Sequence, residues 1–174
     1  VLDSPIPDQS TQEGDMFSYT VPANTFSDVD SGTLTYTAAL ASGSVLPSWL
    51  QFNQATRTFS GVPDDGDVGV LNVRVTVSDG NGGTTSDTFN LTVINVNDDP
   101  FLIIPVPNQN ATEDSAFTYT FPVNTFADVD TGTVLTYSAQ LAGGGSLPAW
   151  LSFDAATRTF SGTPANSDVG VISI

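Results

Sequence analysis

Leu71-Asn72-Val73-Arg74-Val75-Thr76-Val77-Ser78-Asp79-Gly80-Asn81-Gly82-Gly83 decides the fold class of this chain. Leu71, Val73, Val75 and Val77 fall on one side of an extended segment, with Asn72, Arg74 and Thr76 opposite, the period-two pattern of a half-buried strand. The run then stops at Asp79-Gly80-Asn81-Gly82-Gly83, residues that accept the positive φ of a hairpin turn. Beyond it Phe89, Leu91 and Val93 alternate with Asn90 and Thr92. The same alternation runs through Met16–Val21 and through Leu34, Tyr36, Ala38 and Leu40. Helix signals are almost absent. Six or seven such strands within roughly 95 residues predict a two-sheet antiparallel sandwich.

Working outward, the chain repeats itself. Gln9–Gly32 returns as Gln109–Gly132, and Leu34–Val73 returns as Leu135–Ile174, with more than half of the positions identical in each pair. A repeat of about 100 residues is too long for a solenoid unit and matches one Ig-type sandwich. Nothing in the second half corresponds to Arg74–Pro100. The expectation is therefore an all-β chain of tandem Ig-like or cadherin-like sandwiches, the second incomplete. Module one covers residues 1–99 with a linker at 95–100, and module two covers 100–174 without its last strands. The polar linker Asn95-Val96-Asn97-Asp98-Asp99-Pro100 has no apolar periodicity and is short.

Composition narrows the function. With 19 Asp and Glu against 3 Arg, the net charge is −16. Nucleic acid is excluded as a partner, because phosphate binding needs clustered Lys and Arg, and anionic membranes are disfavoured for the same reason. The chain has no Cys and no His, so disulfides, thiolate chemistry and the commonest general base are missing. Hard oxygen ligands remain, and those suit calcium. No apolar run is long enough to insert in a membrane. Val1 is not an initiator and no signal peptide is visible, so the chain reads as a mature or excised segment of something longer.

The acids recur at matching places. Glu13 precedes the first alternating strand and Glu113 is its copy; Asp28-Val29-Asp30 follows Phe26, and Asp128-Val129-Asp130 follows Phe126. In an extended segment residues i and i+2 share a side, so each pair is expected to present two carboxylates together. Such groups repel unless protonated or bridged by a cation. Asp67 precedes the long strand, and the linker adds Asn97, Asp98 and Asp99. A solvated acidic turn and a calcium site both fit a lone Asp-x-Asp-x-Gly; repetition in both copies beside an acidic linker favours calcium. A glycosidase does not fit, since paired catalytic acids must face each other across a cleft, and Asp28 and Asp30 are near neighbours.

Leu46-Pro47-Ser48-Trp49-Leu50 and Leu147-Pro148-Ala149-Trp150-Leu151 hold the two tryptophans. Flanking Leu and following Phe52 or Phe153 place them in the core rather than on a sugar-binding platform. Ala55–Gly61 and Ala156–Gly162 read as a turn entering a short strand, with a structural Arg. Asn90-Leu91-Thr92 and Asn110-Ala111-Thr112 match the glycosylation sequon by chance.

Glu13, Asp28-Val29-Asp30-Ser31-Gly32, Asp67, Asp79-Gly80 and Asn95–Pro100 together resemble a bacterial cadherin-like module. Leu46-Pro47-x-Trp49-Leu50-x-Phe52 and Thr58-Phe59-Ser60-Gly61-x-Pro63 are similar to the dystroglycan-type cadherin-like, or He-PIG, subgroup. The resemblance covers the whole chain. It implies tandem sandwiches in large secreted or surface proteins, with calcium at the junction between modules. Carried over by position, the ligands are Glu13 and Asp67 from module one, Asn97, Asp98 and Asp99 from the linker, and Asp128 and Asp130 from module two. Asp28, Asp30 and Asp79 serve a preceding module and bind weakly without one. Asn95 stands where such linkers usually carry Asp, and a residue before Pro100 is missing, so fewer ions are expected than at a cadherin junction.

The function expected is a non-enzymatic extracellular structural or adhesive repeat at the cell surface, made rigid by calcium. A calcium-dependent polysaccharide-binding module is the alternative. Neighbouring repeats of the same protein are the expected partners, with surface glycans and a strand from another chain, completing module two, as further ones. Without that completion, module two is expected to carry an open edge and a partly exposed core.

Overall fold

Residues that alternate in the sequence form ladders in the computed structural model, which describes residues 1–30 and 32–174. Ser31, part of the acidic segment named above, lies outside the described residues. The chain divides into two compact units, Val1–Asn97 and Asp98–Ile174.

Among the described residues, unit 1 holds seven strands: β1 (Gln9–Gln12), β2 (Phe17–Thr20), β3 (Thr35–Leu40), β4 (Gln51–Asn53), β5 (Thr58–Gly61), β6 (Gly69–Ser78) and β7 (Thr84–Ile94). They make a four-stranded sheet in the order β1-β7-β6-β3 and a three-stranded sheet in the order β2-β5-β4. All pairs are antiparallel except β1 with β7, which run parallel with Gln9 opposite Leu91. That exception follows from topology, because β1 enters at the edge and is reached from β7 only through the long path of the sandwich.

The core lies between the two sheets. Val73, Val75 and Val77 of β6 and Phe89, Leu91 and Val93 of β7 are buried, as are Phe17, Phe59, Leu50 and Tyr36. Phe59 packs its ring against Phe52 and Phe89 at centroid distances of 4.5 and 5.7 Å. Tilted and edge-on geometries of this kind add to simple burial. Trp49 packs against this cluster, with its Nε1 buried. The hairpin turn at Asp79 closes through the Asp79 carboxylate, whose Oδ1 accepts from Asn81 N at 2.7 Å and Gly83 N at 2.9 Å.

The turn before β5 uses arginine in a left-handed conformation. Arg57 has φ 57° and Arg158, its copy, 58°, which ordinarily favours Gly or Asn. Asn53 Oδ1 accepts from the N–H groups of Ala55 and Thr56 and fixes the turn. Arg57 then recovers the conformational cost through its side chain, donating from Nε to Val21 O at 3.3 Å and lying 5.7 Å over the Tyr36 ring.

Tyr19 is partly buried against the core, and its hydroxyl has no hydrogen-bond partner among the described residues. Desolvation raises its pKa above the usual 10.0, since burial disfavours phenolate. Folded-state pKa above unfolded pKa means this contribution to stability is intact below about pH 10 and is lost as pH rises through the folded value. An ultraviolet titration should show Tyr19 ionising late, with unit 1 weakening as pH rises from about 10 through its folded value. Tyr19→Phe, which removes an unpartnered hydroxyl, should gain about 1 kcal/mol at neutral pH in a urea melt.

Unit 2 contains β8 (Phe101–Leu102), β9 (Phe117–Thr120), β10 (Phe126–Ala127), β11 (Leu151–Asp154) and β12 (Thr159–Gly162). Its three-stranded sheet, β11-β12-β9, repeats β4-β5-β2 in register. Unit 2 also has a two-stranded sheet in which β10 pairs with β8, Phe101 opposite Ala127. Among the described residues 109–112, 136–140 and 170–174, which repeat β1, β3 and the start of β6, belong to no strand. In unit 1, β6 and β7 are the centre of the four-stranded sheet, to which both edge strands pair.

Candidate functional site

Glu13 follows β1 directly and is held there by the ladder, its N–H donating to Ile94 O at 3.1 Å. The side chain turns inward and is only 7 % exposed. Its Oε1 accepts from Val96 N at 2.5 Å, so β7 and the polar segment after it anchor one oxygen. Oε2 is buried and has no hydrogen-bond partner among the described residues. A carboxylate in this position is costly unless something positive or donating meets the second oxygen. The copy, Glu113, is exposed.

Within unit 2, Asp98 N donates to Asp130 Oδ2 at 2.9 Å, and Asp130 N donates to Asp128 Oδ1 at 2.9 Å. These three acids thus form one chain of backbone-to-carboxylate bonds. Unit 1 repeats the second link, Asp30 N donating to Asp28 Oδ1 at 2.8 Å. The two Asp-x-Asp segments are bends rather than strand. The first acid of each folds back on the second, so same-side presentation in an extended strand does not describe them. A short side chain able to cap its own backbone two residues on prefers that local bond.

The other sequence-derived candidates fall in different places. Asp67 Oδ2 accepts from Asp64 N at 3.1 Å and closes a capping box on the 3-10 turn Asp65–Asp67. Asp168 does the same from Ala165 N at 2.8 Å, so this acid has a local structural task in both copies. Asp79 is engaged in the β6–β7 turn described above. Asp99 is exposed, as is Asn97. Structure therefore gathers Asp98, Asp128 and Asp130 in unit 2 and singles out Glu13 in unit 1.

Two acids that sequence reasoning passed over matter to the fold. Asp87 Oδ2 accepts from Ile6 N at 2.6 Å, and Asp8 Oδ1 accepts from Asn90 N at 2.8 Å. Both tie the N-terminal segment to β7. Asp8 and Asp87 each sit among alternating polar positions, and only cross-strand register distinguishes them from solvated acids. Asp154, at the turn before β12, has its pKa held below the usual range by hydrogen bonds from Thr157 and Ala156.

Carboxylate oxygens are the donors that suit a hard divalent cation such as calcium, and in unit 1 Glu13 Oε2 is a buried one without a hydrogen-bond partner among the described residues. Trp49 and Tyr19 pack against the core and Tyr36 is buried in it, so none of these three rings offers a flat exposed face to a sugar.

A model of the family described as Putative Ig domain, He_PIG, matches residues 1–94 and again 100–174. The chain belongs to the He_PIG family. Among curated proteins it is similar to the serine-rich adhesin for platelets of Staphylococcus aureus strain USA300, 27 % identical over 145 residues. That alignment covers 83 % of this He_PIG chain and 6 % of the adhesin. In strain MRSA252 the corresponding share of the adhesin is 10 %. The chain therefore spans a small fraction of these relatives. Among solved structures, mouse cadherin-23 EC22-24 matches with a TM-score of 0.52 at 20 % identity, covering 94 % of this chain and 52 % of that one. This likeness shows the fold: all-β, with Ig-like and cadherin-like neighbours. No helix of the He_PIG chain is long and apolar enough to cross a membrane.

Proposed function

We propose that this chain is a pair of modules, residues 1–99 and 100–174, from a non-enzymatic extracellular adhesive or structural array, stiffened by calcium bound at the linker. Glu13 and Asp67 from the first module, Asn97, Asp98 and Asp99 from the linker, and Asp128 and Asp130 from the second supply the ligands in this reading. Asp28, Asp30 and Asp79 await a preceding module. The single observation that carries it is the Glu13 carboxylate, buried with Oε1 bonded to Val96 N and Oε2 left without a partner. A buried carboxylate oxygen without a partner is costly, and a cation meeting it would offset that cost. Membership in He_PIG and similarity to a serine-rich adhesin for platelets support the extracellular, adhesive part.

When bound, calcium would supply two positive charges to a region whose net charge is strongly negative. The residues of the chain do the rest. Val96 N–H orients Glu13, the N–H groups of Asp98 and Asp130 orient the carboxylates of Asp130 and Asp128, and a short linker has few torsions left to order. Ion binding would then convert a flexible connection of a few residues into a defined one.

Thermal unfolding in 10 mM calcium and in EDTA tests this. With a Kd of about 0.1 mM, within the range of extracellular calcium modules, the folded state gains about 2.7 kcal/mol. The melting temperature should rise by roughly 10 °C or more, and EDTA should reverse the rise. Magnesium at the same concentration should do much less. Equal melting curves in all three buffers would remove the mechanism while leaving the family assignment in place.

A further inference from the structure

Asn81-Gly82 is the one Asn-Gly step in the sequence, and every other Asn is followed by a residue that carries a Cβ. Both residues lie at the tip of the β6–β7 hairpin and are exposed. An Asn side-chain amide and the backbone nitrogen after it can close a succinimide ring, and a following Gly puts no side chain in the way. Two Asp-Gly steps, Asp65-Gly66 and Asp79-Gly80, share that covalent arrangement.

The fold treats the three steps differently. Gly66 N donates to Asp64 Oδ1 at 3.0 Å, and Gly80 N donates to Ser78 Oγ at 3.2 Å. The Asp79 carboxylate is itself held, its Oδ1 accepting from Asn81 N and Gly83 N. Gly82 N donates to no acceptor among the described residues, and the Asn81 side-chain amide has no partner among them. A Cβ built on Gly82 would meet nothing within 4 Å, so the step stands open to water. A bonded backbone nitrogen must lose its hydrogen bond before it can shed the proton and attack. Gly82 N has no such bond to lose.

We propose that Asn81-Gly82 is a site of self-modification, at which the folded chain converts Asn81 to aspartate and isoaspartate with water as the co-reactant. Hydroxide takes the proton from Gly82 N, and the nitrogen attacks Asn81 Cγ. The N–Cγ bond forms, the Cγ–Nδ2 bond breaks, and Nδ2 leaves as ammonia with a proton from water. Water then opens the imide without any change of oxidation state. Attack at Cγ breaks its bond to Gly82 N and gives aspartate. Attack at the Asn81 carbonyl carbon breaks the other C–N bond, leaving the main chain to run through Cβ and Cγ as isoaspartate.

Both products add a negative charge to a chain that already carries −16. The isoaspartate also lengthens the turn by a methylene. Asp79 N donating to Gly83 O at 3.3 Å, and Gly83 N donating to Asp79 Oδ1 at 2.9 Å, both span the altered link. The hairpin tip therefore loosens with age, while the ladder that starts at Ser78 opposite Thr84 stays paired.

The test ages the full chain at physiological temperature and maps its peptides by mass. The peptide carrying Asn81 should gain one mass unit, or three in heavy-oxygen water, before any other Asn-bearing peptide does. An isoaspartyl-specific methyltransferase should label it, the rate should rise with pH, and Asn81→Gln should abolish the gain. Asp65→Asn places a second Asn-Gly step where the Gly nitrogen is bonded. In the folded variant that step should react about fivefold or more slowly than Asn81-Gly82, the factor one hydrogen bond supplies. In urea that unfolds the chain the two steps should react alike. The parent repeats the comparison without a substitution, since Asn81 should react at nearly the same rate folded and in urea. Equal rates at the two steps in the folded variant would overturn the proposal. So would an Asn81 that folding slows as much as it slows the bonded step.

Discussion

Gly61→Ala should cost unit 1 about 3 kcal/mol, the upper part of the range for forcing atoms into a packed interior. A Cβ at this position would meet Trp49 O at 1.8 Å and Trp49 C at 2.9 Å. The clash is with backbone, so no rotamer change relieves it. Either β5 must leave its register against Phe17 of β2, or the Leu46–Leu50 segment must move off the core. Gly162→Ala should act alike in unit 2, where the built Cβ lies 1.7 Å from Trp150 O. Since a domain holds only about 5–15 kcal/mol in total, the transition assigned to the altered unit should fall by more than 10 °C in calorimetry. Gly32→Ala is the control, because its Cβ would have nothing within 4 Å. It should shift stability by less than about 0.5 kcal/mol. A Gly61→Ala protein that melts with the wild type would mean that Trp49 is not pressed against β5 as described.

Glu13→Gln should separate the structural from the ligand role of the buried acid. The amide keeps a carbonyl oxygen for Val96 N–H and removes the negative charge from the oxygen that has no partner. In EDTA the variant should therefore be at least as stable as the parent, because a bare buried anionic oxygen is more costly than a neutral group. In 10 mM calcium the order should invert: the parent gains about 1.4 to 2.7 kcal/mol by mass action for a Kd of about 1 to 0.1 mM and the variant gains little. Glu113→Gln, at the exposed copy, should leave both states unchanged. If Glu13→Gln instead destabilises the protein strongly in EDTA, the charge serves the fold and not a cation.

Much of this was readable before any coordinates. Alternation in Leu71–Val77 and Phe89–Val93 marks strands because one face must be apolar and the other wet, and Asp79–Gly83 can hardly be anything but a turn. The repeat locates the Trp49 and Gly61 contact twice, although their close approach is a property of packing and leaves only an invariant pair of residues as its trace. Parallel pairing of β1 with β7 was not legible, since a four-residue polar segment carries no mark of which edge it joins. Nor was the central place of β6 and β7 in the four-stranded sheet, because strand order is not written in periodicity.

The acidic positions were legible as a set and ambiguous one by one. An Asp in a loop spends its oxygens locally when a backbone N–H lies two or three residues away, as Asp28, Asp64, Asp67 and Asp79 do. Sequence spacing cannot distinguish those from acids with spare oxygens. Glu13 differs because its longer side chain reaches Val96, far along the chain, and because β7 covers it. Burial, which follows from the fold and not from the residue, is what marks it out.

Calorimetric titration of calcium into the intact chain, freed of metal beforehand, is the most direct measurement of whether these acids form a cation site. The account predicts saturable binding with a Kd of about 0.1 to 1 mM, as for other extracellular calcium modules, and its loss on Glu13→Gln. No saturable heat at millimolar calcium, or an isotherm that Glu13→Gln leaves unaltered, would contradict it.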